Sequence, residues 1–566
     1  MTGVIADPSE QDVVREFFEL FKTPWEFYRT GQRYEVVLCS DRGQSDDAAK
    51  LTIHYGSAKS YFDDKHKVQI ACQRMESQIL CYRGNRLPIY GASVTFHHND
   101  SRLLTDHDSG ECVSYLDRSG EGVGVRIGYD LFSEVYTLLT VGQPAANAAM
   151  PALEMHIALL RDLITECGVP LVEIPPIPVG YRFIVCLTHD VDHASIRQHG
   201  WDHTTLGFLS RAVFNSLCNF ARRRLGFRGL VTNWAAALRL PFVQMGIAAD
   251  FWRKFGDRYL ELEDDVRSTF FVIPFKDRSG KRLEAPTHTF RAARYCAQDI
   301  TDILQKLLNA GCEVGLHGID AWHDGSLGRE EVEEIRRVTG ASEIGVRMHW
   351  LYYHQRSHVA VENAGAVYDS TIGYNETVGY RAGTTQVFKP IGTSSLLELP
   401  MHVMDTALFY SAYLGLSQEQ AKFIVGRVAD HATEYGGCVT INWHDRSIAP
   451  ERLWDGSYRE LVKDFKVRGA WFATASQVVA WFRKRRSVIF DKDSAATESL
   501  CRQVAAVHTH HLPGLRLRIH NARARGEVDS TPEGYIDIPC NESVDTKIVG
   551  ASVVDVTYGC GPCLDS

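Results

Sequence analysis

The chain has 566 residues, of which 45% are hydrophobic and 23% are charged. This composition is typical of a globular protein and excludes a disordered or fibrous chain. The formal net charge of −9 gives no reason to expect binding to nucleic acid. The length predicts about three domains, and it leaves the oligomeric state open.

The N-terminal segment MTGVIADPSEQDVVREFFELF contains no basic stretch followed by an apolar core, so the sequence predicts no secretion signal. No apolar run approaches the ~18 residues that a membrane helix needs. We therefore expect a cytoplasmic protein without a transmembrane segment.

Residues 1–175 begin with a helical pattern, SEQDVVREFFELF, and continue with β-like runs such as YEVVLCS and KLTIHYG. This mixture predicts a small α+β N-terminal domain of unknown role. The proline-rich segment VPLVEIPPIPVGYR follows it. Because proline lacks the amide proton that helices and central strands use, this segment predicts a domain boundary.

From residue 180 to residue 485, short apolar runs alternate with helical segments. The runs include FIVCLT, STFFVIP, EVGLH, IGVRM, LLELP, CVTINW and AWFAT. Runs that are apolar on both faces indicate parallel strands covered by helices on each side. The pattern fits a doubly wound sheet or a (β/α) barrel, and we predict the barrel, whose active site forms at the C-terminal ends of its strands.

Two segments depart from this alternation. Residues 195–266 separate the first two strands, are far longer than an ordinary connection, and predict helices that cap or wall a site. Their basic run ARRRLGFRG is interpreted as a solvated face. Residues 490–566 predict an irregular, β-rich C-terminal appendage. Its Cys560 and Cys563 supply only two of the four ligands of a structural zinc site, so we assign them no metal.

Four predicted strands lead into polar side chains that can bind a metal or move a proton. These are His189, Asp190, Asp192 and His193 after the first strand, His317 and His323 after the third, Arg347 and His349 on the fourth, and His444, Asp445 and Arg446 after the seventh. Because a barrel gathers its strand ends at one mouth, we predict one shared active site. Residues two apart in a strand face the same side, so Asp190 and Asp192 can both face the site while His189 and His193 point elsewhere.

The ordered motifs LTHDVD, EVGLHGIDAWHD, GVRMHWL, YDSTIGYNETVGYRAGT, LELPMHVMDTALF and NWHDRS resemble those of polysaccharide deacetylases. This is the NodB-homology group, of carbohydrate esterase family 4 type, and the chain resembles a subgroup with a THDVD first motif and an extra N-terminal domain. The resemblance covers about residues 180–485. It implies a distorted (β/α) barrel and a metal-dependent hydrolase acting on carbon–nitrogen amide bonds, which removes N-acetyl groups from amino sugars in a polysaccharide, a precursor or a glycoconjugate.

The resemblance also implies a ligand set of Asp192, His317 and His323 for a divalent metal. Zinc suits two histidines and a carboxylate, and cobalt, nickel or iron could also bind. The family's commonest pattern has two histidines four residues apart, but position 321 is Ala321 here and His323 is six residues from His317. His349, at the end of the adjacent strand, is the alternative third ligand.

The remaining roles are carried over in the same way. Asp190 corresponds to the general base, Arg347 to the arginine that pairs with it, and His444 to the histidine that protonates the leaving amine. A neighbouring carboxylate, Asp445 or Asp405, would hold His444 in its charged form. Trp350 and Arg381 are candidates for substrate contact, with a scaffold role as the alternative for each.

Two other functions remain open from the sequence. The same residues could hydrolyse another linear or cyclic amide, because one fold hosts many chemistries. A catalytically silent carbohydrate-binding or scaffold protein is the second alternative, although it would have no need of Asp190, Asp192, His317 and His444 together. The predicted partner is a carbohydrate carrying N-acetyl groups, and the expected location favours a precursor or lipid-linked intermediate over a finished extracellular polymer.

Overall fold

The computed structural model describes residues 1–40, 49–97, 103–118, 122–282, 289–490, 501–503, 511–520, 534–540, 543–549 and 552–558. Cys560 and Cys563 lie outside these ranges. The chain divides into two compact units, one of residues 1–180, 382–384 and 480–566 and one of residues 181–381 and 385–479.

The second unit is built on one parallel sheet. Its strands are β1 (Phe183–Val191), β2 (Thr269–Val272), β3 (Glu313–Gly318), β4 (Gly345–Met348), β5 (Tyr368–Asp369), β6 (Leu397–Glu398), β7 (Val403–Met404), β8 (Cys438–Asn442) and β9 (Ala470–Phe472). Hydrogen-bonded neighbours follow the order β6-β5-β4-β3-β2-β1-β8-β7, and β9 pairs with the first residues of β1. Within the described residues β6 and β7 do not pair, so the sheet curls without closing. The predicted distorted (β/α) barrel is confirmed.

The helices of the second unit follow, and the last of them extends past residue 479 into the first unit. They are α1 (His203–Leu209), α2 (Ser216–Ala221), α3 (Phe227–Gln244), α4 (Phe255–Glu263), α5 (Thr301–Asn309), α6 (Gly325–Thr339), α7 (Ser357–Asn363), α8 (Asp405–Phe409), α9 (Gln418–Tyr435), α10 (Asp455–Val467) and α11 (Ala475–Arg486). A π-helical segment, Ser210–Asn215, joins α1 to α2. All nine residues of β1 are buried, as expected of a central parallel strand covered on both faces.

The segment between β1 and β2 is helical and has a small core of its own. Phe208, Leu240 and Trp252 are buried in that core together with Ala449, which follows β8. Asn233 also donates from its side-chain amide to the carbonyl oxygen of Pro450, at 2.7 Å. Helices α1 to α3 are therefore attached to the chain segment that follows β8.

The first unit holds a six-stranded sheet with one antiparallel edge pair and four parallel pairs. Its strands, in order across the sheet, are Ser114–Asp117, Val123–Ile127, Leu51–Tyr55, Val36–Cys39, Thr2–Ile5 and Trp25–Phe27. Its helices are Gln11–Phe21, Tyr61–Lys65, Leu131–Thr140 and Ala152–Glu166.

Shorter strands complete this unit. Ile70–Arg74 pairs with Ser93–Phe96, and Gln78–Tyr82 pairs with Asn85–Ile89 and Leu104–Asp106. Two further sheets contain C-terminal strands: Leu171–Glu173, Leu515–His520 and Tyr535–Cys540 form one, and Val488–Phe490, Cys501–Gln503, Ser543–Val549 and Ser552–Tyr558 form the other. No helix among the described residues combines the length and the apolar character required to cross a bilayer.

Candidate functional site

Asp192, His317 and His349 converge at the C-terminal ends of β1, β3 and β4. The Oδ1 atom of Asp192 lies 3.4 Å from Nε2 of His317 and 3.4 Å from Nε2 of His349. Each residue offers one ligand atom, and the three atoms lie within 4.8 Å of one another. The Oδ1 atom is buried and has no hydrogen-bond partner among the described residues. This arrangement can hold a divalent metal ion.

The protonation of these residues suits metal binding. Nδ1 of His317 donates to the carbonyl oxygen of Arg347 at 3.0 Å, which orients the ring with its Nε2 atom toward Asp192. Burial lowers the pKa of His349 well below its usual value, so its imidazole is neutral. Burial alone would raise the pKa of Asp192, but a hydrogen bond from His317 and the charge of His444 hold it well below the usual value.

His323 lies elsewhere, in the turn between β3 and α6. Its Nε2 atom is 3.0 Å from Oδ1 of Asp320, and its backbone amide donates to the Asp320 carbonyl oxygen. β3 and β4 pair with His317 opposite Arg347. His349 comes two residues after Arg347, so it lies just past the C-terminal end of β4, beside the end of β3. The geometry thus favours His349 over His323 as the third ligand.

Asp190 is held by two partners, Arg347 on β4 and Asn442 on β8. Its Oδ1 atom accepts from Nη1 of Arg347 at 3.2 Å, and its Oδ2 atom accepts from Nδ2 of Asn442 at 2.7 Å. The Arg347 side chain is fully buried, so this is not a surface ion pair; it also donates to Ser370 and Thr188. These contacts fix the orientation of the Asp190 carboxylate at the edge of the metal-ligand group.

His444 is paired with Asp405. Its Nδ1 atom lies 2.7 Å from Oδ1 of Asp405, and its backbone amide donates to Oδ2 of the same carboxylate. Burial alone would lower the pKa of His444, but Asp405 and then Asp192 and Asp190 outweigh it and raise that pKa to about 10. The imidazole is therefore protonated at neutral pH, and its Nε2 atom lies 3.9 Å from Oδ2 of Asp192.

Asp445 contacts backbone amides and not the ring of His444, the contact that the sequence had left open between Asp445 and Asp405. Its two carboxylate oxygens accept from the backbone amides of His193 and Arg446, at 2.9 and 2.8 Å. Burial, together with the charge of Asp192, raises its pKa to about 6. The carboxylate that contacts the His444 ring is therefore that of Asp405, the other residue considered from the sequence.

His189 and His193 point away from the ligand group. Nδ1 of His189 donates to the carbonyl oxygen of Trp443 at 2.7 Å, and its Nε2 atom lies 2.8 Å from Oε1 of Glu263. Nδ1 of His193 lies 3.0 Å from Nε2 of His199. Both rings are engaged in hydrogen bonds that support the strand ends.

The catalytic candidates open into a cavity of about 380 Å³, a volume within the range of small-molecule sites. Asp190, Asp192, His317, His349 and His444 line it, and so do the aromatic side chains of Trp350, Tyr352, Tyr410 and Tyr413. Trp350 is 37% exposed and has a φ of 66°, a left-handed conformation that is strained for a residue with a Cβ atom. Such strain is concentrated at functional sites, and the ring can stack on a sugar.

Arg381 is not among the residues that line this cavity within the described ranges. Its Nη1 atom donates to the carbonyl oxygen of Gly373 at 3.0 Å, and its guanidinium lies over the Tyr353 ring. These contacts fit the scaffold alternative. Sequence reasoning did not identify Asn442, although strand alternation places it on the same side as His444, two residues on.

A second group of potential ligands, His358, Asp369 and Glu398, is fully buried and lies outside the cavity lining of the described residues. Nε2 of His358 lies 3.1 Å from Oε2 of Glu398. Burial raises the pKa of Asp369 to about 7 and that of Glu398 to about 8. This group cannot contact a substrate in the cavity.

No protein-family model and no curated protein matches the chain. A Mycobacterium smegmatis protein assigned as a polysaccharide deacetylase is 18% identical, with a TM-score of 0.34, over 55% of this chain and 95% of that one. A Pseudomonas aeruginosa PAO1 protein with the same assignment is 17% identical, with a TM-score of 0.34, over 57% and 98%. A family 4 acetyl xylan esterase from Clostridium thermocellum, solved with cobalt, is 14% identical, with a TM-score of 0.23, over 53% and 91%. At such low TM-scores no residue role is transferred from these proteins.

Proposed function

We propose that this chain is a metal-dependent hydrolase that removes an N-acetyl group from an amino sugar. The observation that carries the proposal is the convergence of three groups on one cavity. These are the Asp192 ligand group, the fixed carboxylate of Asp190 and the protonated imidazole of His444. Hydrolysis of an acetamide needs an activated water, a stabilised oxyanion and an acid for the departing amine.

Asp192, His317 and His349 would hold the metal, and two histidines with one carboxylate suit zinc, with cobalt, nickel or iron as alternatives. The buried Oδ1 atom of Asp192, which lacks a hydrogen-bond partner among the described residues, supports this assignment. When bound, such a metal lowers the pKa of a water molecule and polarises a carbonyl group.

The protein's own residues would carry the proton transfers. Asp190 accepts a proton from the attacking water, while Arg347 and Asn442 hold its carboxylate in position. His444 donates its Nε2 proton to the amide nitrogen as the carbon–nitrogen bond breaks. The products are acetate and the free amine, and Asp405 stabilises the charged imidazole before the transfer.

The test is acetate release by zinc-loaded protein from N-acetylglucosamine, its oligomers and its phosphorylated derivatives. We expect acetate from at least one of these substrates and none from cyclic imides, with the rate in Asp190→Asn lowered by about 10²–10⁴-fold. Turnover of cyclic imides without acetate release would favour another amidohydrolase. Full metal loading without turnover of any substrate would contradict the proposal.

A further inference from the structure

Two arginines line the candidate cavity. Arg446 and Arg452 are both cavity-lining residues. The guanidinium of Arg446 lies 5.0 Å from the centre of the Trp252 ring, and Nη1 of Arg452 donates to Oγ of Ser447 at 3.4 Å. Neither forms an ion pair within 4.0 Å of a carboxylate in the described part of the chain, although the charges of Glu451 and Asp445 act on both.

Arg211, which the inserted helical segment contributes, adds a third positive charge. Burial, together with the charges of Arg452 and Arg446, lowers the pKa of Arg211 to about 10. The Nε atoms of Arg211 and Arg452 are buried and have no hydrogen-bond partner among the described residues. Neighbouring guanidinium groups repel each other, and unpaired buried donors are costly, so an anion would stabilise this group.

We propose that Arg446 and Arg452, with Arg211 beside them, bind an anionic group on the substrate, a phosphate or a carboxylate. The identity of the rest of the substrate, an N-acetylated amino sugar, rests on the proposed function. Guanidinium groups bind such oxyanions through paired hydrogen bonds. Because Arg446 and Arg452 share one cavity with His444 and Asp192, one substrate can contact both pairs of residues.

Anion binding is tested separately from catalysis. Titration calorimetry measures inorganic pyrophosphate binding to full-length Asp192→Asn protein, so that an intact metal site does not contribute. We expect Arg446→Gln and Arg452→Gln in this background to weaken binding at least about tenfold, because each removes charged hydrogen bonds. The matched control is Arg427→Gln, an exposed arginine on α9, which should bind as before. Absence of pyrophosphate binding, or equal binding by all variants, would overturn the proposal.

Kinetics then distinguish the two anions. With zinc-loaded protein, kcat/KM is compared for N-acetylglucosamine, N-acetylglucosamine 1-phosphate and N-acetylmuramic acid. We expect one charged substrate to be preferred at least about tenfold, with the preference lost in Arg446→Gln. Equal kcat/KM for all three would overturn the anionic substrate. Pyrophosphate binding that depends on the arginines, without acetate release from any substrate, would support the anion site and contradict the proposed function.

A second, independent observation concerns the outer face of α3. Six apolar side chains there recur at helical spacing and are exposed: Phe227, Val231, Trp234, Leu238, Phe242 and Met245. A different stripe of the same helix, which includes Leu230, Leu240 and Val243, is buried. Leu238 is 76% exposed and Leu240 is 1% exposed, so α3 has one apolar face packed on the protein and another facing outward.

The adjoining helical segments also expose apolar side chains. Leu206 of α1, Phe214 of the π-helical segment, and Leu217 and Phe220 of α2 are also exposed. Residues 201–247 contribute 12 of the 25 large apolar side chains that the described residues expose. We call this exposed apolar set, from residue 201 to residue 247, the hairpin surface. Patches of this kind on a folded protein mark interaction sites.

The charge of the hairpin surface indicates what it contacts. Residues 201–247 contain six arginines, one aspartate (Asp202) and no glutamate or lysine, although the whole chain has a net charge of −9. Arg222, Arg223 and Arg224 are exposed in the turn between α2 and α3. A second copy of the chain placed on this surface symmetrically would bring these charges together, whereas anionic lipid headgroups would neutralise them.

We infer that the hairpin surface docks on an anionic membrane surface, with α3 lying in the plane of the interface. Its apolar stripe would enter the acyl boundary, and its arginines would contact lipid phosphates, which is the pattern of interfacial helices.

Vesicle flotation tests the docking with full-length protein. We expect flotation with vesicles of phosphatidylcholine and phosphatidylglycerol in equal parts, and little with phosphatidylcholine alone. We expect the triple variant Arg222→Gln/Arg223→Gln/Arg224→Gln to lower partitioning at least about tenfold, because each interfacial arginine contributes about fivefold. The double variant Trp234→Ser/Leu238→Ser should also lower partitioning at least about tenfold, because it removes two apolar side chains that would enter the acyl boundary.

The matched control for these variants is Phe423→Ser/Val467→Ser, which removes two apolar side chains of similar exposure outside the hairpin surface. Circular dichroism verifies that every variant is folded. Equal flotation of all variants, or no flotation with anionic vesicles, would overturn the inference. A dimer in sedimentation that Trp234→Ser/Leu238→Ser abolishes would also overturn it, because a second copy would then be the occupant.

Discussion

The Oδ1 atom of Asp192 lies 3.4 Å from the Nε2 atom of His349. The two residues are far apart in sequence, and they meet because the C-terminal ends of β1, β3 and β4 lie along the same edge of one curled parallel sheet. Nε2 of His317 lies at the same distance from Oδ1, so one carboxylate oxygen faces two imidazole nitrogens. This relationship gives the first prediction.

We predict that His349→Gln weakens zinc binding by at least about 100-fold. Removing a group that only orients a ligand lowers metal affinity by about 10–100-fold, so removing a ligand should lower it at least as much. His323→Gln is the matched control and should retain zinc, since its ring contacts Asp320. Zinc content after dialysis, measured by mass spectrometry, distinguishes the two. Zinc retained in His349→Gln and lost in His323→Gln would reverse the assignment.

The same measurement applies to the buried group of His358, Asp369 and Glu398. We predict one zinc per chain in the wild type, and one zinc per chain in His358→Gln, because the site at Asp192 is intact in that variant. Asp192→Asn should hold none. A zinc lost from His358→Gln but kept by Asp192→Asn would place the metal in the buried group.

Asp190 should be essential for turnover but not for metal binding. Its carboxylate oxygens contact Arg347 and Asn442, and Asn keeps the shape of the side chain while removing its basicity. We predict that Asp190→Asn lowers kcat by about 10²–10⁴-fold and leaves the zinc content unchanged. Loss of zinc together with activity would indicate that Asp190 is a ligand.

The pH dependence should report the pairing of His444 with Asp405. Because the pKa of His444 is raised to about 10, its acid form persists at neutral pH and is lost as the pH rises through that value. Asp405→Asn removes the charge that stabilises the imidazolium, so the alkaline limb of the kcat profile should move to lower pH. Asp445→Asn should shift this limb less, since Asp445 contacts backbone amides. The opposite order of the two shifts would contradict the pairing.

Arg347 should contribute to stability as well as to catalysis. Its side chain is fully buried with Asp190, and removing one partner leaves an uncompensated buried charge. We predict that Arg347→Gln lowers the free energy of unfolding in urea by about 3–5 kcal/mol. Arg356→Gln, an exposed arginine, should have little effect. Adding Asp190→Asn to Arg347→Gln should restore part of the loss, and a further loss instead would exclude the buried pair as the cause.

The sequence was sufficient to predict the sheet and the position of the site. Runs such as FIVCLT and CVTINW are apolar on both faces, which is a direct consequence of burial between helices, and the polar residues that follow them gather at one end of the sheet. The motif order indicated Asp192, His317 and His323 as the ligand set, and of these the structure brings Asp192 and His317 together.

The choice between His323 and His349 could not be made from sequence spacing. It depends on the register of β3 against β4, in which His317 lies opposite Arg347, and register is a property of pairing in space. The partner of His444 was ambiguous for a related reason. Asp445 is adjacent in sequence, but successive residues in an extended segment point in opposite directions, and Asp405 reaches the ring from α8.

The hairpin surface escaped prediction because the sequence does not distinguish its two apolar stripes. Leu238 and Leu240 are two residues apart on α3, and only packing shows that one is buried and one exposed. The basic run ARRRLGFRG, interpreted as a solvated face, is exposed in the structure at Arg222, Arg223 and Arg224. Its significance came from the apolar side chains on either side of it.

The central claim is that Asp192, His317 and His349 bind one catalytic metal. Anomalous diffraction at the zinc edge from crystals of zinc-loaded protein tests it most directly. We predict a peak within ligand distance of Oδ1 of Asp192 and of Nε2 of both histidines, at about 2.0–2.2 Å. A fully loaded protein with no peak there, or with its peak beside His323, would contradict the account.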